Sequence, residues 1–514
     1  MKIILKTIIS VVAVLIFISA QLQGQNLDDA VRYSQLSAGG SARVMGVGGA
    51  FGAMGGDFGV SGANVSGLAD YRSKELMFTL SHNKVGTKTF NNGTQVGDNS
   101  DGKETILENL AFISHNKPYY SENLLTSNFA VGLQQYSNYN QVISYDTRSR
   151  GSLVGTLANL ANLDDYNAFD VELADLAGAI FYDSEFETYV HDFSSEIQDA
   201  NGNVIGLSNV ITDEVPKEQI IERSGRVNEL LIAWAGRFRQ GLNLGVGIGI
   251  PFVNYQEDKF YAEDDSEDLF PIFTQLNFNE SFSTSGVGIN LKLGLGYTVA
   301  KRIRLGVGWQ SPSYMSLRDN FNNSLAYDCT LCDETASVVF ESPEGEFRYR
   351  LRTPMKTTLS AGYLLNKEKL KGFLNVDFQM VNYTQNKFDF TLGEDENDPG
   401  LISDESFENG IIDIELRSAY NWAIGAELVY QKWRVRSGVN LQGAPFFLDA
   451  GQYDKTYAVG LGYRLNRIFF DFAYQYRQSE EGYSPYRTAG GDPALPLVSD
   501  NQIHKLALTM GFKL

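Results

Sequence analysis

Two cysteines, four histidines and twelve prolines in a chain of 514 residues put several classes of protein out of reach. Two cysteines cannot build a disulfide scaffold, and the lone pair Cys329 and Cys332 has no second C-x-x-C for zinc and no βαβ surroundings for redox work; a small local disulfide is the expected use. Ser81-His82-Asn83-Lys84 and Ser114-His115-Asn116-Lys117 repeat one tetrapeptide. A hydrolase also needs an acid against the imidazole and an activated nucleophile, and no such grouping is spaced along the chain, so an enzyme is not expected. Neither acidic run, Glu263 to Asp268 or Glu394 to Asp398, has the spacing of a calcium loop; both are expected as solvated loops, with no metal and no cofactor. Acidic side chains outnumber basic ones, 62 to 42, which excludes a nucleic-acid surface. Past Ala20 no apolar run approaches the roughly 18 residues of a transmembrane helix.

What is present begins with Lys2 and Lys6, an apolar run from Ile8 to Ala20, and small residues at Ala20 and Gly24. That order predicts an export signal over 1–24, cleaved after one of those two residues. No cysteine lies near the cleavage point, so no lipid anchor is expected there.

Glycine and aromatics are plentiful, at 50 Gly, 27 Tyr and 32 Phe, and they alternate. In Leu242, Leu244, Val246, Ile248, Ile250 and Phe252 every second residue is bulky and apolar, while Asn243, Gly245, Gly247 and Gly249 fill the other face. This is the period of a strand with one lipophilic side. The same pattern marks segments near 75–83, 107–116, 126–137, 226–238, 242–255, 282–298, 302–313, 346–364, 372–386, 411–429, 433–442, 454–464, 467–478 and 502–513. From the fourth onward, short connections such as Arg239-Gln240-Gly241 alternate with long ones, and the largest connection of all, 138–225, leads into the fourth. Outer-membrane barrels sort their loops this way, short turns in the periplasm and long loops outside. The expected fold is all-β: a transmembrane antiparallel barrel of about fourteen strands over 75–514, in the outer membrane of a Gram-negative cell.

Register follows from cost. Phe347, Tyr349, Leu351 and Met355 alternate with Arg348, Arg350, Arg352 and Lys356, and an arginine facing lipid near the midplane costs roughly 2–4 kcal/mol. The basic set Lys292, Arg304, Arg348, Arg350, Arg352, Lys356 and Arg417 is therefore expected to line the lumen, either to receive an anionic headgroup or to pair with Asp377, Asp413 and Glu415. In the longest loop, Phe169, Leu173, Leu176, Ala177 and Ile180 fall at helical spacing, as a structural cap or as an apolar capture face for a ligand.

Residues 25–74 are glycine-rich and do not alternate. Within them, Gly39-Gly40-Ser41-Ala42-Arg43-Val44-Met45-Gly46, Gly48-Gly49-Ala50-Phe51-Gly52-Ala53 and Asn64-Val65-Ser66-Gly67-Leu68-Ala69 resemble the N-terminal hatch of the long-chain fatty-acid transporter (FadL/TodX) family. Gly425-Ala426-Glu427 and Gly443-Ala444-Pro445-Phe446 agree with it, while Asn64-Val65-Ser66 stands where the family usually has Asn-Pro-Ala. The resemblance implies a barrel plugged by its own N-terminus, with Arg43, Gly46, Gly48, Gly49, Asn64 and Gly67 in the hatch. It also implies passive uptake of hydrophobic or amphipathic molecules that leave sideways at a kink near Gln135-Tyr136-Ser137-Asn138. A structural or secretion-associated scaffold is the alternative. Outer-membrane lipids, lipopolysaccharide and the barrel-assembly machinery are the remaining expected partners.

Overall fold

The computed structural model describes residues 27–35, 39–119, 121–163, 169–192, 194–265, 273–330, 338–367, 369–392, 397–488 and 493–514; the side chains of 100, 101 and 169 also fall outside it. The expected signal over 1–24 and Cys332 lie outside the described residues.

Fourteen antiparallel wall strands close into a barrel. They are β1 (Glu75–Asn91), β2 (Thr94–Asn116), β3 (Leu124–Asn138, carried on by Gln141–Arg150), β4 (Glu214–Phe238), β5 (Leu242–Asp264) and β6 (Phe273–Val299). Then come β7 (Ile303–Gln310 and Tyr314–Cys329), β8 (Gly345–Arg352 and Lys356–Asn366), β9 (Lys371–Asn382), β10 (Ser418–Tyr430), β11 (Trp433–Gly443), β12 (Tyr453–Arg464), β13 (Ile468–Tyr483) and β14 (Leu497–Lys513). Each pairs with the next over at least part of its length, and β14 pairs with β1 from Glu75↔Lys513 to Asn91↔Leu497, which closes the barrel.

The alternation has the expected consequence. Val246, Ile248 and Phe252 of β5 and Leu291, Leu293, Leu295 and Tyr297 of β6 are exposed on the outer face, while Asn290 and Lys292 are buried within. An exposed belt this apolar is stable against hydrocarbon rather than water.

Residues 141–150, 214–225, 256–264, 273–281 and 314–329, expected in long connections, are strand, and three further segments depart from the sequence expectation. Residues 84–106, expected as a long connection, are the upper halves of β1 and β2, joined by a turn at Asn92-Gly93 with φ of 47° and 82°. Both central residues are left-handed, which is why Asn-Gly is found there. Residues 411–415, expected in a strand, end helix α5 (Pro399–Glu415; α1 to α4 are given below), which Asp398 caps by accepting from Gly400 N and Pro399 opens.

The third departure reverses an assignment. Pro312 and Pro354 interrupt β7 and β8 at neighbouring positions, since proline has no N–H for the ladder, and alternation slips by one residue across each break. Lys356 stays inside, but Tyr349 and Leu351 turn inward and Arg348, Arg350 and Arg352 face out. The three arginines do not line the lumen.

The 151–213 connection holds α3 (Leu153–Ala161), α4 (Phe169–Leu176) and two small hairpins. Leu173 and Ile180 are buried with Val154, Leu157, Tyr261, Phe278 and Leu325, whereas Leu176 is 56% exposed. Glu263, expected in a solvated acidic run, is buried and accepts from Leu153 N at 2.9 Å and Tyr261 Oη at 2.6 Å, holding the start of α3. Ahead of the wall lie α1 (Leu27–Ser34), α2 (Ala42–Met45) and two 3-10 turns, Phe58–Gly62 and Val65–Asp70.

Candidate functional site in the barrel lumen

The N-terminal segment packs against inward-facing backbone. Gly438 of β11 and Gly308 of β7 face the carbonyls of Val47 and Ala63 so closely that a Cβ at either position would overlap them. Asn64 occupies a node: its Nδ2 donates to Gly52 O at 2.9 Å and to Leu295 O of β6 at 3.1 Å, and its Oδ1 accepts from Ser66 N at 3.1 Å and Ser66 Oγ at 2.8 Å. Ser66, in the place of the family's usual alanine, adds a hydrogen bond that alanine could not make. Asp377 of β9 accepts from Phe51 N at 2.8 Å, Gly52 N at 2.9 Å and Asn375 Nδ2 at 2.7 Å, and no lysine or arginine among the described residues pairs with it.

Arg43 reaches Glu427 of β10 with two nitrogens, at 3.1 and 3.2 Å. Glu427 in turn takes Arg436 Nε at 2.6 Å, and Asp471 takes Arg436 and Arg464, each at 2.8 Å. Gly48 and Gly49 have φ of +65° and +81°, turning the chain after α2 where a side chain would be strained. Gly46 lies against Gly460 Cα, and Gly67 against Met54 O and Val60.

Higher in the lumen the charges are matched differently. Lys292 of β6 is ion-paired with Glu229 of β4 and donates to Tyr136 Oη at 2.7 Å. At the short-turn end, by contrast, Arg304 and Arg237 share Asp70, at 2.6 and 3.2 Å. Lys356 of β8 is the exception: it is 6% exposed, its Nζ donates to the Ser34 carbonyl at 2.7 Å, and no carboxylate among the described residues pairs with it. A buried ammonium held by one neutral acceptor keeps unused donors. Lys356 and Gln310 also line both of two lumenal cavities, one bounded by Ser61, Asn64 and Lys292, the other by Tyr33, Tyr136, Glu229 and Asn290.

The wall beside the second cavity is open. β2 and β3 are paired only from Asn109↔Gln134 to Asn116↔Ser127. Beyond Gln134, β3 follows β4 alone, with a register shift between Gln135 and Ser137 that leaves Tyr136 as an extra residue. Gln134, Gln135, Tyr136 and Ser137 are four consecutive buried residues, so the alternation of a lipid-facing wall fails there. Side chains bridge the gap: Asn138 Nδ2 and Arg226 Nη2 each donate to Glu104, both at 2.7 Å. Gly39 lies behind it, against Gln135 O and Glu108 Oε1.

No family model and no curated protein matches this chain. Solved structures do. A FadL homologue of Pseudomonas aeruginosa aligns with TM-score 0.50 and 10% identity, over 93% of this chain and 99% of its own. The toluene transporter TodX of Pseudomonas putida aligns with TM-score 0.50 and 11% identity, over 94% and 100%. The chain has the FadL-type fold. At such low identity the likeness concerns the path of the chain and not its side chains.

On that FadL-type frame, Arg43, Gly46, Gly48, Gly49, Asn64 and Gly67 come together inside the barrel, and Lys292 lines the first of the two cavities. Arg348, Arg350 and Arg352 lie outside the lumen, and Leu173 and Ile180 in the loop cap; Phe169's side chain falls outside the described residues. Cys329 at the end of β7 is disulfide-bonded. Sequence reasoning passed over Glu229, Glu104, Glu427 and Asp471 as site residues. Their signal was a charge on the glycine-bearing, inward face of a strand, as with Glu427 two residues after Gly425.

Proposed function

We propose that this chain is an outer-membrane channel for passive uptake of amphipathic molecules with a long apolar part and an anionic headgroup, plugged at rest by residues 27–71. The reading draws on the apolar outer belt, on the FadL-type fold, and on solved proteins of that fold being described as a FadL homologue and a toluene transporter. It rests above all on Lys356, a buried lysine that lines both cavities and has no carboxylate partner among the described residues. A carboxylate or sulfate entering there would accept a charge-assisted hydrogen bond. Its alkyl chain would gain about 0.8 kcal/mol per methylene removed from water. The β2–β3 gap, a few residues from the Tyr136 hydroxyl, is the proposed lateral way out into the membrane.

Equilibrium binding of a long-chain fatty acid and of its methyl ester to purified protein tests this. Lys356→Met should weaken the acid about tenfold or more and leave the ester nearly unchanged, and Lys356→Arg should restore the acid. Heat-dependent gel mobility reports whether each variant is a folded barrel. Equal losses for acid and ester, or no saturable binding to the wild type, would overturn the reading.

A further inference from the structure

The arginines that turned out of the lumen form a surface of their own. On the outer face, register places Tyr314, Arg352 and Lys387 in one row, Ser316, Arg350 and Asp389 in the next, and Arg318 beside Arg348 in a third. Their inward neighbours Tyr349, Leu351 and Phe388 are fully buried, so the cations point away from the barrel axis. Among the described residues only Glu346 and Asp389 pair with them: Glu346 lies 2.8 Å from Arg348 and 3.6 Å from Arg318, and Asp389 lies 3.6 Å from Arg350. Arg352 and Lys387 pair with no carboxylate among the described residues. On a chain of net charge −20, this local excess of positive charge is set against the overall balance.

Its height on the wall is informative. The first two rows continue across β6 to Ile289 and Val287, and the row beyond reaches Ser285 and then Asn254 of β5. The outward face therefore changes from apolar to polar at the arginines. Below them Met355, Leu359 and Met380 are exposed, and Tyr314, 60% exposed, stands at the boundary as an interfacial aromatic. From Tyr297 to Val287 the apolar stretch of β6 runs roughly 34 Å along the strand, which at a tilt of about 40–45° is roughly 25 Å of height, that of an outer-membrane belt. The patch thus sits at headgroup depth, at the end of the barrel that carries the long loops.

We propose that this patch binds the phosphate groups of lipopolysaccharide in the outer leaflet. Guanidinium groups match phosphate oxygens with two parallel hydrogen bonds. Three successive arginines alternating along β8, flanked by Arg318 and Lys387, present several such forks to a headgroup carrying more than one phosphate. The inference rests on the outer-membrane reading above.

The test uses the full-length barrel in neutral phosphatidylcholine vesicles doped with lipid A or with enzymatically dephosphorylated lipid A, and reads protein-bound glycolipid by native mass spectrometry. Wild type should retain the phosphorylated form in about tenfold or greater excess, and the preference should shrink with salt. The quadruple variant Arg348→Gln, Arg350→Gln, Arg352→Gln, Lys387→Gln should lose the preference, while Arg302→Gln with Lys371→Gln, at the short-turn end, should keep it. Insertion with equal retention of the two lipids, or an unchanged preference in the quadruple variant, overturns the inference and leaves the channel reading standing. Failure of wild type to insert into either vesicle overturns both.

Discussion

Arg43 of the N-terminal segment and Glu427 of β10 are joined by two hydrogen bonds, at 3.1 and 3.2 Å, in a place where Glu427 is 3% exposed. The pair ties a segment with no strand of its own to a wall strand that is hydrogen-bonded to a neighbour on each side. Removing one partner of a buried pair leaves the other charge uncompensated, at a cost on the order of 3 kcal/mol. Glu427→Gln should therefore loosen the segment without unmaking the wall. In planar bilayers the variant should show openings that wild type lacks, and cells should become more sensitive to large antibiotics. Unchanged conductance in a correctly inserted variant would mean that Arg43 is not what holds the segment.

The same segment can be displaced sterically. A Cβ at Gly438 would overlap the Val47 carbonyl, which is backbone and cannot swing aside. Gly438→Val should push residues 47–48 away from β11 and lower thermal stability by about 1–3 kcal/mol, the usual cost of overpacking. Hydrogen exchange should then rise at residues 42–54 more than in β10 or β11. Uniform exchange across both would show that the close approach is unimportant.

A third expectation concerns the gap between β2 and β3. Glu104 is bridged to Asn138 and Arg226 across it, each at 2.7 Å. If molecules leave there, tethering its two sides should stop transport while binding continues. Glu104→Cys with Asn138→Cys, made in a chain whose Cys329 and Cys332 are replaced by Ser, should lose uptake of a labelled fatty acid after treatment with a short bismaleimide. Each single-cysteine variant should be unaffected. Full uptake through the tethered barrel would place the exit elsewhere.

Most of the wall was legible because alternation is a local signal: Leu242 to Phe252 declares its outer face whatever else the chain does. The breaks were harder to read. Pro312 and Pro354 are visible in the sequence, but the one-residue slip that turns Arg352 outward and keeps Lys356 inward is set by how two interrupted strands re-pair. Asn92-Gly93 and Asp398-Pro399 were readable turn and helix-start signals outweighed by apolar periodicity beside them. The lumenal site was legible only as single charges. That Lys292 meets Glu229 while Lys356 meets only a carbonyl depends on contacts across the barrel, between residues 63 and 322 positions apart in sequence.

The loop cap contains two buried titratable groups that pull in opposite directions. Burial pushes Asp170 up to about 7, partly offset by the hydrogen bond from Asn323, and burial pushes His191 down to about 4. For Asp170 the folded cap holds a proton that the unfolded loop releases above pH 3.8, so its contribution falls as pH rises from there through about 7. For His191 the unfolded loop takes up a proton below pH 6.5 that the folded cap refuses until about 4, so its contribution falls as pH drops through that window. Between about 4 and 6.5 these two slopes oppose and partly offset each other. Separating them should expose each: Asp170→Asn should make residues 151–213 more protease-sensitive on acidification from pH 6.5 to 4, and His191→Gln should make them more sensitive as pH rises from 4 to 7. Limited proteolysis of folded barrels across that range, with the wall as internal control, reads both slopes. Parallel profiles for wild type and the two variants would show that neither group titrates against the cap's stability.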